Sequence, residues 1–239
     1  MIALLRYQTA ILLRSHRWIF PLIAYGLLIA VGAAGSTSLA ETLDWSGAML
    51  VPAVAFLTRA MLTAEPDAAR ACVSAAAGPV RAQLATLIVP LGGGAVLGIA
   101  ATVFDVLTAE AAARAPGSGL SGKITAAADH PGIVVAGLLI ALVCLLVGSA
   151  AGALCNPPLL RHPAAAMLST LAAIILGLAA SISPASAAIS HTTVQAANPL
   201  AANWPGTGSL AGAACVLVVT WSASVLAATR RDTWSVGSS

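Results

Sequence analysis

Charge is scarce in this chain. Of its 239 residues, 8% are charged and 4% aromatic, against 59% hydrophobic and a mean hydropathy of +0.94. A soluble domain is about one-quarter charged. Too few polar side chains exist here to clothe a water-soluble globule of this size. The net charge is only +3, and the basic residues form no dense patch beyond the pair Arg230–Arg231, which argues against a nucleic-acid partner. Cysteine is rare as well. Cys72, Cys144, Cys155 and Cys215 show no CxxC pairing and no ligand at zinc spacing, so a disulfide framework and a zinc site are not expected. Such cysteines serve as small apolar residues. HExxH, carboxylates paired within one apolar run and clusters of His, Asp and Glu are missing too. No catalytic, cofactor or metal site is therefore expected on this chain.

What the chain does have is long apolar runs. Six of them, at about residues 18–35, 47–62, 83–104, 132–154, 164–183 and 210–229, approach or reach the length that crosses a hydrocarbon core. Threaded alternately from a cytoplasmic N-terminus, they place nine of the eleven basic residues inside or at the inner boundary. These are Arg6, Arg14, Arg17, Arg59, Arg70, Arg81, Arg161, Arg230 and Arg231; only Arg114 and Lys123 fall outside. Positive charge near span ends sets orientation, so the asymmetry supports span count and topology together. The expectation is an all-α membrane protein with six transmembrane helices and both termini cytoplasmic, forming one transmembrane domain over residues 1–239. Six spans with short loops use up that length, leaving no room for a soluble catalytic domain.

The polar segments are short but patterned. In MIALLRYQTAILLRSHR, at about 100° per residue, Arg6, Arg14 and Arg17 share one sector while Leu4, Leu5, Ile11 and Leu12 occupy much of the rest. That pattern predicts an amphipathic helix over residues 1–17, resting in the headgroup layer against anionic lipid. A simple extension of the first span is the alternative. Pro21 is expected to mark the bend into the span. In the cytoplasmic loop 64–82, Pro66 suits a first turn, Glu65 and Asp67 favour the positive helix end, and Gly78-Pro79 is a stop signal. A short capped helix from about Pro66 to Ala77 follows, packed on the spans or on a partner. The outer loop from about Pro184 to Gly208 fits short interfacial helices or a plain loop, with Trp204 at headgroup depth. GxxxG spacing at Gly94/Gly98, Gly148/Gly152 and Gly208/Gly212 permits close helix approach and names no partner.

One stretch imitates chemistry in two ways. Gly117 to Lys123, GSGLSGK, satisfies most of a phosphate-binding loop, but Ile124 stands where a magnesium-binding hydroxyl belongs and no strand precedes it. Ser121 lies in the same polar loop, so it lacks the buried span that a membrane Ser–His dyad needs, and His130, His162 and His191 are also expected in loops. Asp105 and Arg59 lie nearest the bilayer. An intramembrane charge is a functional candidate by default, but each is close enough to a span end to snorkel, and boundary anchoring is the expected role.

This layout resembles the permease subunit of ABC-2 type transporters, over the whole chain as architecture and locally at EPDAARACVSAAAGPVRAQL and GALCNPPLLRHP. The resemblance implies a split exporter of the cell membrane, in which two permeases, identical or paralogous, assemble with two separate ATP-binding subunits. ATP and magnesium would sit on those partners. It further implies that the ATPase is contacted through Arg6, Arg14, Arg17, Glu65, Asp67, Arg70 and Arg81. A stand-alone polytopic protein, such as a secondary transporter or an accessory subunit, is the other reading. Neither reading identifies a substrate.

Overall fold

The computed structural model describes residues 1–35, 39–108, 131–154, 163–179 and 207–236. Among these, every regular element is a helix. In chain order they are α1 (Ile2–Arg14), α2 (Ile19–Gly35), α3 (Leu39–Leu62), α4 (Asp67–Ala77), α5 (Pro79–Thr108), α6 (Pro131–Leu154), α7 (Pro163–Ala179) and α8 (Thr207–Val236).

Four of the helices are long and apolar enough to cross a membrane: Glu41–Leu62, Pro79–Thr108, Val134–Leu154 and Gly208–Leu226. A fifth arises if α1 and α2, bent at 74°, count as one broken span. Against six expected spans, then, the described helices support four or five. Among the described residues α2 and α7 each run for 17 residues, at the short limit of a membrane-crossing helix. The bend itself falls ahead of Pro21. His16 takes a positive φ of 52°, while Pro21 sits in the first turn of α2, where its missing N–H harms nothing.

The core is built around α3, which packs on α2, α5, α6 and α7. Its tightest seam is with α6. A Cβ added at Gly148 or Gly152 would stand 2.6 Å from the carbonyl oxygen of Val51 or Ala55, so only glycine lets the two backbones approach this closely. Val51, Ala55, Ile140, Val143 and Cys144 fill the seam. At Gly94 and Gly98 the neighbours are side chains of α3 and α6 rather than backbone, and nothing lies near Gly208.

Burial divides the bundle. Of the spanning stretches in α3 and α6, 61% is buried, against 33% in α5 and 22% in α8. The uncovered faces are apolar: Phe20, Ile23, Leu27 and Val31 on α2, Val96, Ile99 and Val103 on α5, Val218 and Val219 on α8. Faces this greasy exceed what a monomer tolerates in water, and suit a hydrocarbon solvent.

Candidate functional site

Two places gather polar side chains: the junction of α1, α3 and α4, and the far end of α5. At the junction, α4 begins after Pro66, whose carbonyl accepts the Arg70 N–H at 3.0 Å. It stops at Gly78, where φ is 85° and ψ is 144°. The expected stop is a left-handed residue; the observed one combines positive φ with extended ψ, a region open essentially to glycine alone. The Gly78 carbonyl already accepts the Ala82 N–H at 3.1 Å, so one residue separates α4 from α5. None of the described side chains of α4 is fully buried, and the helix lies along the surface of the bundle.

Side-chain hydrogen bonds knit this junction. Gln8 Nε2 of α1 donates to Glu65 Oε2 at 3.3 Å, Arg17 Nη1 donates to the Thr63 carbonyl at 2.9 Å, and Arg70 Nη2 donates to the Leu62 carbonyl at 2.8 Å. The two arginines thus satisfy carbonyls at the C-terminal end of α3, where cations are also favoured by the helix dipole. Beneath them Leu12 of α1 packs on Leu57 and Met61 of α3 and on Val89 of α5. The Tyr7 phenol is pushed above its ordinary value by partial burial, then by the negative charge of nearby Glu65.

The seven residues proposed to meet a partner therefore divide. Arg6, Arg14 and Arg81 are exposed and bonded to no described residue. Arg17 is exposed but bonded inward, and Arg70 is half-buried and bonded inward. Glu65 is 8% exposed, a group turned into the protein rather than toward a partner. Asp67 opens α4, and its side chain lies outside the described residues. So do Gly117 to Lys123, Ser121, His130, the outer loop with His191 and Trp204, Cys155, Arg161, His162 and the side chains of Arg230 and Arg231. Cys72, Cys144 and Cys215 are free thiols.

Burial corrects one of the two anchoring expectations. Arg59 is half-buried, and its Nη1 donates to the Thr170 hydroxyl of α7 at 3.3 Å, where the threonine is fully buried. Asp105 does not snorkel, having no exposed surface at all. Around it, Tyr25 Oη donates to the Ser46 carbonyl at 3.2 Å, and Trp45 Nε1 donates to the Leu28 carbonyl at 2.9 Å, tying α2 to α3. The sequence carries one hint of this cluster. Tyr25 is a phenol amid an apolar run, and such a group needs an acceptor when buried. Compared with known proteins, the chain matches no family model, no curated protein and no solved structure.

Proposed function

We propose that this chain is the membrane-spanning subunit of an ABC-2 type transporter, driven by ATP hydrolysed on a separate subunit and exporting its substrate across the plasma membrane. In this reading it has six spans with both termini cytoplasmic, α1 lies on the inner membrane surface, and α4 is the coupling helix. A second permease completes the assembly. The observation that carries the reading is the junction. Hydrogen bonds tie α1 to Glu65, Arg17 to Thr63 and α4 to the last residue of α3, while Arg6, Arg14 and Arg81 remain exposed beside them. A push delivered to α4 would thus reach the central helix of the bundle directly. An ATP-driven change must act through contacts that differ between two states of the bundle, and a stiff lever joined to α3 is a means of transmitting it.

The test is purification of the tagged chain from native membranes. An ATP-hydrolysing subunit should accompany the wild type, and the Arg6→Glu/Arg81→Glu variant should melt normally yet lose it. Misplaced like charges at an interface cost several kcal/mol. Substrate movement by the chain alone in vesicles, without ATP, would overturn the proposal. It would favour the second reading, a stand-alone carrier, which has one observation of its own: the buried acid Asp105.

A further inference from the structure

Asp105 stands one turn from the C-terminal end of α5, opposite the α1–α4 junction. It has no exposed surface, and neither carboxyl oxygen has a hydrogen-bond partner among the described residues. Its surroundings are polar enough to hold a proton and too poor in charge to hold an anion. Tyr25 of α2 is within its electrostatic reach, and the Ser46 side chain of α3 lies beside its carboxyl. Both have placed their own protons elsewhere, Tyr25 on the Ser46 carbonyl and the Ser46 hydroxyl on the Leu43 carbonyl at 3.1 Å.

The titratable neighbours come from every side. From α6, Cys144 faces Tyr25 and also Asp44 of α3. The remaining elements that touch α5 meet it toward its other end: α4 across Gly78, α1 around Val89, α8 with Trp221 near Leu87. Arg59 of α3 is bonded to Thr170 of α7. Among the described residues, Tyr25, Glu41, Asp44 and Cys144 are the titratable groups at this end, and none of them is a cation. A carboxylate without a partner in an apolar interior is strongly disfavoured, and the group takes up a proton instead.

We propose that Asp105 is a proton-binding site, its carboxyl holding the proton between α2, α3 and α5 and releasing it only when these helices part to admit water. A proton needs neither a cavity nor a set of ligands. Among the described residues no three of His, Cys, Asp and Glu gather to hold a metal ion. Closed and protonated, open and ionised, the two states would link acidity to the packing of this end of the bundle. The inference stands on the burial and surroundings of Asp105 alone and holds whether or not an ATPase drives the protein.

The experiment treats the purified full chain in detergent with dicyclohexylcarbodiimide, a reagent that adds to protonated carboxyls in apolar surroundings, and maps adducts by peptide mass spectrometry across a pH series. Label is expected at Asp105 at neutral pH, falling about tenfold per pH unit once the site ionises. The melting temperature should fall as pH rises, because the folded state then binds more protons than the unfolded one. In Asp105→Asn, whose amide mimics the protonated acid, label is lost and this slope flattens. Asp105→Leu should flatten it as well. No label at Asp105 at any pH would overturn the proposal, showing a carboxylate held ionised by a cation such as Arg114 or Lys123. Labelling independent of pH would overturn it too, showing an acid that never releases its proton.

Discussion

Glu65 and Asp105 are both buried acids, at opposite ends of the bundle, and their surroundings differ. Glu65 receives a hydrogen bond from Gln8, lies near the Tyr7 phenol, and joins α1 to the segment between α3 and α4. Asp105 receives none from the described residues and lies near the Tyr25 phenol and the Ser46 side chain. Burial alone does not tell what an acid does; the donors around it decide. Where a donor is present, the acid works as a fastener. Where none is present, it becomes a group whose charge can change.

Removing the donor is the strongest way to break this contrast. Gln8→Leu leaves the Glu65 carboxylate buried without its donor and should lower stability by about 2–3 kcal/mol. The measurement is a melting curve of the detergent-purified chain. Gln8→Leu/Glu65→Leu should recover much of the loss, since replacing both partners by apolar groups is close to neutral. Next comes Gly78→Val, which forces a β-branched residue into a glycine-only conformation at a cost of about 1–3 kcal/mol. It should loosen α4 while leaving the Asp105 end intact, visible as faster proteolysis between Glu65 and Arg81 with unchanged carbodiimide labelling. The smallest effect sharpens the contrast. Asp105→Asn should change stability at acid or neutral pH by less than about 1 kcal/mol, because one neutral group replaces another. A larger loss from Asp105→Asn than from Gln8→Leu would reverse the assignment of the two acids.

Much of the helical layout was legible in the chain, because it follows from local chemistry. Apolar runs located helices at all six expected positions, although length and composition qualify only four or five of them as spans. Pro66 and the pair Gly78-Pro79 bracketed α4. What was not legible depends on contacts between distant segments. Arg59 meets Thr170 across 111 residues, and no pattern near either residue announces it. Asp105 looked able to snorkel because it is near a helix end; α2 and α3 close over it, and one-dimensional position does not register that. The second apolar run was expected from about residue 47, yet α3 starts at Leu39 and takes in Glu41 and Asp44, the latter buried inside the bundle. Of the candidate contact residues, Glu65 and Arg70 look like a partner surface for the same reason. Charge suggests solvent until a fold supplies an internal partner.

The joint between α1 and the rest of the protein also has a history in time. Gln8 and Glu65 are 57 residues apart. At about 5–20 residues per second, a ribosome needs roughly 3–11 s to travel that distance. The Gln8 side chain therefore waits seconds for its partner while α2 and α3 are synthesised, although Leu12 can already dock on Leu57 and Met61. Closure of this joint then marks that α3 has been completed.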